Sequence, residues 1–165
     1  MIELYIDYQT LGEARDLAAD MGTLKNSFTN GMGNLTGFLG EVLLRERLAG
    51  TTEHKNTYDY DLVLPNSKTV DVKSKSTSVT PLDHYECSVS GLNTKQKCDY
   101  YAFTRIKKDL TVGWLLGYLP KQEFYDLAKF YPKGSKDPSN RFVNKVDTYS
   151  VRIDQLKDIT ELQEA

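Results

Sequence analysis

The fold is decided by YDYDLVLPNSKTVDVKSK, residues 58–75, in which two runs of alternating polar and apolar side chains flank Pro65, Asn66 and Ser67. Alternation with a period of two is typical of β-strands, and a short segment of Pro, Asn and Ser between two such runs predicts a tight turn. We therefore predict a β-hairpin with strands at residues 58–64 and 68–75.

A turn of three residues sets the register of this hairpin. Leu62 then lies opposite Val70 on one face, and Asp61 lies opposite Asp71 on the other. A slip of one residue would pair inward apolar side chains with outward acidic ones, so the pattern itself favours this register. The same counting places Asp59 opposite Lys73.

The register has a chemical consequence at Asp61 and Asp71. Two carboxylates directly opposite each other on adjacent strands repel, which costs about 0.2–1 kcal/mol and more where they are buried. A divalent cation between them removes this cost, because Mg²⁺ prefers carboxylate oxygens. Lys73 projects from the same face as Asp71 and can reach a phosphate held at such an ion. Three roles stay open for Asp59: a partner of Lys73, a further metal ligand or a solvated residue.

A simpler alternative is that these aspartates lie on the solvated edge of a structural or protein-interaction domain. Aspartates are common on the exposed faces of hairpins, and Asp-x-Lys occurs often by chance. The alternative predicts solvated carboxylates.

The remaining chain predicts one domain, residues 1–165, of the α/β (α+β) class, with a mixed central β-sheet flanked by helices. Apolar spacing predicts helices at residues 9–21 and 34–48, a helical turn at 93–98 and a helix that begins at Pro120 with Phe124 and Leu127 inward. Alternating or apolar runs predict strands at 85–89, 100–106, 112–119 and 149–153, and residues 131–140 predict a loop.

Composition limits the class of protein. With 165 residues, 39% of them hydrophobic and 27% charged, the chain suits a single core. It has neither an apolar run of the roughly 20 residues that span a bilayer nor a signal-like N-terminus, and its two cysteines form no disulfide framework or zinc cluster. We therefore expect a cytoplasmic protein with no membrane segment. A net charge of −2 means that any binding of nucleic acid needs a local basic strip.

The order of these elements and residues resembles the PD-(D/E)xK nuclease superfamily, which has the restriction-endonuclease-like fold. Its pattern is a helix with a glutamate, a strand with an aspartate, a strand with Asp/Glu-x-Lys, and then a helix and further strands. The matching residues are Glu41 in GFLGEVLLRERL, Asp61, and Asp71 with Lys73. The resemblance covers residues 34–106, and Tyr60 stands where the family has a proline.

The resemblance implies a metal-dependent DNA nuclease that hydrolyses phosphodiester bonds with Mg²⁺ or Mn²⁺ and leaves a 5′-phosphate. It implies a small endonuclease of DNA recombination, repair or processing, of a structure-selective or junction-resolving kind, with a homodimer expected. Asp61, Asp71, the Val72 carbonyl and Glu41 would hold metal or its water, and Lys73 would orient or deprotonate the attacking water. The alternative function is a non-catalytic nucleic-acid-binding or assembly module that retains the fold.

Local structure alone offers an alternative role for Glu41 and for the pair Gln96 and Tyr100. Glu41 is also placed to be an exposed helical glutamate that pairs with Arg45 at i+4. Gln96 and Tyr100 match a Gln-x-x-x-Tyr spacing of exonuclease-like branches, but Asn93 and Gln96 also suit a helix capping box, and Tyr100 suits the core.

We predict DNA contacts from residues that cluster near this site in sequence: Lys75, Lys95, Gln96, Lys97 and Tyr100, then Arg105, Lys107 and Lys108, with Arg141 and Lys145 farther along. Residues 30–37 are rich in glycine and predict a loop whose backbone amides approach a phosphate.

Overall fold

A computed structural model of the chain describes residues 1–21, 32–50, 53–54, 58–136 and 142–163. Its helices are α1 (Tyr8–Met21), α2 (Met32–Arg47) and α3 (Lys121–Leu127). Its strands are β1 (Ile2–Tyr5), β2 (Glu53–His54), β3 (Leu62–Val63), β4 (Thr69–Thr77), β5 (Glu86–Ser90), β6 (Tyr100–Lys107), β7 (Val112–Pro120), β8 (Lys129–Tyr131) and β9 (Thr148–Arg152). The predicted mixed α/β class is confirmed.

The strands form two sheets. The larger sheet has the order β1-β7-β6-β4-β3-β2, in which β4 and β6 are parallel and the other neighbours are antiparallel. The smaller sheet is antiparallel and has the order β5-β9-β8. Both faces of β4 are covered, one by α1 and α2 and the other by α3 and the smaller sheet.

Alternate residues of β4 and β6 enter two separate cores. Val70 and Val72 pack with Ala102 against the apolar faces of α1 and α2. Tyr101 and Phe103 face the opposite way and pack with α3 and the smaller sheet. Asp71 and Lys73 are the register partners of Tyr101 and Phe103, so they project on this second face.

The hairpin turn forms as its residues predict. Leu64 N–H donates to the Lys68 carbonyl over 2.8 Å, and Ser67 adopts the left-handed conformation with φ 69°. Such a residue after two turn positions is a common way to close a three-residue loop. The predicted register is confirmed, because Leu62 pairs with Val70.

The predicted length of the first hairpin strand is wrong. The β3–β4 ladder covers Leu62 and Val63 only, so Asp61 and Asp71 are not ladder partners and Asp59 does not face Lys73. Asp59 instead accepts a hydrogen bond from the Lys97 N–H over 3.0 Å, so it anchors the segment before β6. Polar side-chain bonds to backbone N–H groups here replace the strand ladder.

Several other predictions need correction. The strands β1, β2 and β8 were not predicted, and residues 32–37 belong to α2 rather than to a loop, while residues 30 and 31 lie outside the described residues. A 3₁₀ turn at Gly91–Asn93 replaces the helical turn predicted at 93–98. The helix after Pro120 buries Phe124 as predicted, but Leu127 is exposed. Among the described helices, none is both long and apolar enough to cross a membrane.

Helix α2 approaches the sheet closely at Gly40. A Cβ added there would lie 2.0 Å from Ser74 Oγ and 2.4 Å from Thr104 Oγ1, two hydroxyls that are 2.6 Å apart on β4 and β6. At Gly37, one turn earlier, an added Cβ meets nothing within 4 Å. The absence of a side chain at Gly40 therefore sets the distance between α2 and the strands.

We expect Gly40→Ala to lower the free energy of unfolding by about 1–3 kcal/mol, because an added methyl group overpacks this contact. Gly37→Ala is the matched control, and it should raise the free energy by roughly 0.5–1 kcal/mol, because alanine is the better helix former. Urea denaturation of both variants measures the difference. Equal effects of the two substitutions would contradict the close contact at Gly40.

Candidate active site

Asp71 lies at the centre of a buried polar cluster. Its side chain is on the inward face of β4 and the residue is only 3% exposed. Asp71 Oδ2 lies 2.5 Å from Lys73 Nζ, and Oδ1 accepts a hydrogen bond from Gln96 Nε2 over 2.7 Å. Burial raises the pKa of Asp71, while Lys73 and Gln96 act in the opposite direction.

Asp61 reaches the same cluster from the end of β3. Its N–H donates to the Val70 carbonyl over 2.9 Å, and its Oδ2 accepts from the Val72 N–H over 2.7 Å. The carboxylate thus occupies the position on the edge of β4 where the next residue of β3 would have paired. Because the N–H and C=O of one strand residue point to the same edge, the Val72 carbonyl faces this edge as well. Burial, followed by repulsion from Asp71, raises the pKa of Asp61 to about 7.

Glu41 approaches these carboxylates from α2. It is 8% exposed, and its pKa is raised to about 9, first by burial and then by repulsion from Asp61 and Asp71. The alternative of an exposed glutamate is wrong, because Glu41 is buried. Arg45 forms an ion pair with Glu13 over 2.5 Å, and its charge also lowers the pKa of Glu41. The predicted solvated edge is also wrong, because Glu41 and Asp71 are both buried.

Gln96 holds Asp71 in place. Its Nε2 donates to Asp71 and to the Tyr58 carbonyl, each over 2.7 Å, and its backbone carbonyl accepts from Lys121 Nζ. The side chain therefore forms no capping box with Asn93. The Gln96 Oε1 atom is buried without a hydrogen-bond partner among the described residues, so an acceptor remains for a ligand of the cluster.

Two contributors to the cluster were not predicted. The Tyr101 ring lies beneath Lys73, with Nζ 5.9 Å from the ring centroid, and Lys121 fixes the carbonyl of Gln96. Tyr101 pairs with Asp71 across the parallel β4–β6 contact, which joins residues about thirty positions apart. No local pattern signals such a pairing, so sequence reasoning had no means of finding either residue.

The predicted DNA contacts are dispersed around the cluster. Lys95 and Lys97 are exposed next to Gln96, and Lys75 is exposed on β4 with its Nζ 2.8 Å from Ser88 Oγ. Tyr100 does not reach the cluster. It packs edge-on against Tyr118 on the opposite face of the larger sheet, which is covered by α1 and α2. Arg105 lies next to Lys75 across the β4–β6 contact, and Lys107 forms an ion pair with Asp109. Lys108 and Lys145 are exposed, and Arg141 lies outside the described residues.

The carboxylates do not form a ready-made metal site. Within the described ranges, no group of three or more His, Cys, Asp or Glu side chains is arranged to hold a metal ion. Lys73 and Gln96 occupy the two oxygens of Asp71, and Val72 occupies one oxygen of Asp61. Binding of a cation would therefore require Lys73 to move from Asp71.

No protein-family model matches this chain, and none of the curated proteins matches it either. The resemblance to the PD-(D/E)xK nucleases accordingly stays a prediction. It rests on the order of Glu41, Asp61, Asp71 and Lys73 along the chain.

The raised pKa values predict how stability depends on pH without divalent cations. Glu41 and Asp61 bind protons more tightly in the folded than in the unfolded chain, so their protonated forms stabilise the fold. This contribution to stability is fully present below about pH 4. It is lost as the pH rises through the folded-state pKa of Asp61, about 7, and that of Glu41, about 9. We expect Glu41→Gln to be more stable than the parent protein at pH 8 by at least about 1.4 kcal/mol, the equivalent of one pKa unit, and the gain to shrink at pH 5.

Urea denaturation in EDTA between pH 5 and pH 9 measures this difference. Glu161→Gln removes the same charge from an exposed position and serves as the matched control. If Glu41→Gln shows the same pH profile as this control, Glu41 does not lie among repelling carboxylates.

Proposed function

We propose that this chain is a metal-dependent DNA nuclease with a restriction-endonuclease-like fold. The observation that carries the proposal is the convergence of three mutually repelling carboxylates, from Glu41, Asp61 and Asp71, beside the ammonium group of Lys73. Buried charges of one sign cost stability, and functional sites are where such costs are commonly retained.

The reaction is hydrolysis of a phosphodiester. The oxygen of a water molecule forms a bond to phosphorus, the P–O3′ bond breaks, and the proton released by the water balances the 3′-hydroxyl that leaves. The products are a 5′-phosphate and a 3′-hydroxyl. An electropositive group beside the phosphate is required, because negative charge accumulates on its oxygens.

The residues of the cluster have separate tasks in this proposal. Lys73 orients the water and offsets charge on the phosphate, and Tyr101 beneath it restricts the position of the ammonium group. Gln96 keeps the Asp71 carboxylate in one orientation through the hydrogen bond to Oδ1. The buried setting strengthens each of these electrostatic effects, since it excludes water.

The donor chemistry suits Mg²⁺ or Mn²⁺, which prefer hard oxygen ligands. Asp61, Asp71 and Glu41 would hold the ion, together with the Val72 carbonyl at the same strand edge. When bound, it supplies a lower pKa for the attacking water and a positive charge at the phosphate. The ion would also remove the repulsion that raises the pKa values of Glu41 and Asp61.

One observation favours a second candidate, a DNA-binding or assembly module without catalysis. The 2.5 Å ion pair between Lys73 and Asp71 neutralises the carboxylate with a group from the protein itself, as a structural ion pair would. This candidate predicts DNA binding that is unaffected by Mg²⁺ and by substitution of Asp71.

Cleavage of DNA tests the proposal directly. We expect the protein to cut at least one of linear, nicked and branched duplexes in the presence of Mg²⁺, and Lys73→Gln and Asp71→Asn each to lower the rate by about 10²-fold or more. Lys129→Gln and Asp16→Asn make the same charge changes at exposed positions and should leave the rate unchanged. No cleavage of any substrate, or equal rates for Lys73→Gln and the parent, would contradict the proposal.

Metal binding is measured separately by thermal denaturation. We expect millimolar Mg²⁺ or Mn²⁺ to raise the melting temperature of the parent protein, because the ion binds only the folded carboxylate cluster. The rise should disappear in Asp71→Asn and persist in Asp16→Asn. A rise that survives Asp71→Asn would place the ion elsewhere and favour the module without catalysis.

A further inference from the structure

A small cleft of about 90 Å³ lies beside the candidate active site, between the larger sheet and β5. Its lining runs along β4 from Lys73 to Lys75 and includes Arg105 of β6 and Ser88 of β5, which bring two further polar groups. Also part of the lining are Glu86 and the apolar residues Cys87, Phe103 and Leu116. A cleft of this size accommodates an ion or a small functional group rather than a base or a peptide.

Two cations stand side by side in this cleft. Lys75 and Arg105 are register partners on the parallel strands β4 and β6, so their side chains project next to each other on one face. Like charges in such positions destabilise a sheet, as opposed aspartates do. Lys75 Nζ donates to Ser88 Oγ over 2.8 Å, and Ser88 Oγ is in turn 2.8 Å from Ser150 Oγ, so a small hydroxyl network adjoins the two cations.

Among the described residues, the guanidinium of Arg105 has no carboxylate partner. Across the part of the chain that the structure describes, Arg105 forms no ion pair, and the nearby Glu86 carboxylate accepts from Tyr131 Oη instead. Within the described ranges, Arg105 Nη2 donates to the Glu86 carbonyl over 3.0 Å and Nε is buried without a partner, while the Tyr85 ring centroid lies 5.4 Å from the guanidinium carbon. A half-buried cation kept without a carboxylate is costly, and burial accordingly lowers the pKa of Arg105.

We propose that the cleft formed by Lys75, Ser88 and Arg105 is an anion subsite that binds a phosphate of the nucleic-acid strand next to the one that is cleaved. A phosphate supplies the negative charge that the guanidinium lacks and acceptor oxygens for the lysine and the serine. A carboxylate ligand would satisfy the charge less well, because a phosphate offers one more oxygen to three donors. The identity of the ligand as nucleic acid rests on the proposed function.

The position of the subsite suits a continuous strand. Lys75 follows Lys73 by two residues, or about 7 Å along β4, and a nucleic-acid strand carries one phosphate for roughly each 3.4 Å of helix axis. A strand with one phosphate at Lys73 therefore brings a phosphate one or two nucleotides away to the cleft. Contacts of this kind set the register of the substrate without reading its sequence.

Binding of a fluorescent duplex in EDTA tests the subsite without any need for cleavage. We expect Arg105→Gln to weaken binding about tenfold at low salt and to reduce the slope of log affinity against log salt by about 0.9, the value for one lost phosphate contact. Lys75→Gln replaces an exposed side chain, so we expect the variant to fold. It should also weaken binding and reduce the salt slope. Arg47→Gln removes the same charge from the exposed end of α2 and is the matched control.

Neutral methylphosphonate linkages, introduced one at a time, identify the phosphate. We expect a methylphosphonate at one linkage to weaken binding of the duplex to the parent protein. The same linkage should have no effect on binding to Arg105→Gln. Comparison of duplexes with a 5′-phosphate and a 5′-hydroxyl shows whether the phosphate is internal or terminal, and either source supports the subsite.

The subsite is overturned if Arg105→Gln and Lys75→Gln keep the affinity and salt slope of the Arg47→Gln control. That result would leave the proposed nuclease intact, since cleavage is measured separately. Conversely, a protein that cuts no DNA but loses phosphate sensitivity in Arg105→Gln would retain the subsite and refute the nuclease.

Discussion

The parallel contact between β4 and β6 organises the candidate site. It places Asp71, Lys73 and Lys75 beside Tyr101, Phe103 and Arg105 in one register. The opposite edge of β4 is paired with β3 only as far as Leu62, and the Asp61 carboxylate binds the next N–H of that edge. Strand β4 is therefore paired along nearly its whole length with β6, whereas on its other edge a side-chain carboxylate takes the place of the next strand residue.

Charge is arranged along β4 in order. The carboxylates of Asp61, Asp71 and Glu41 surround its first half, and the cations of Lys75 and Arg105 flank its second half, with Lys73 between them. Each half contains groups whose charged form is disfavoured by burial. A bound cation at one end and a phosphate strand along the other would complete the same electrostatic arrangement, so the two proposals address one surface.

Local patterns were sufficient for the hairpin turn, for the register of Leu62 with Val70, and for the apolar spacing of α1 and α2. They failed for β1, β2 and β8, because these strands are two to four residues long and too short to show a period. They failed also for residues 58–60, where alternation is present but hydrogen bonds from Gln96 and to Asp59 hold the chain instead.

Sequence alone brought Asp71 and Lys73 to one face, since neighbours at i and i+2 on a strand always share it. Only the tertiary structure decided that Asp71 and Glu41 are buried and that Tyr100 lies on the far face. The same holds for the pairing of Lys75 with Arg105. The physical reason is range: periodicity is a property of adjacent residues, whereas burial and charge depend on strands and helices distant in the chain.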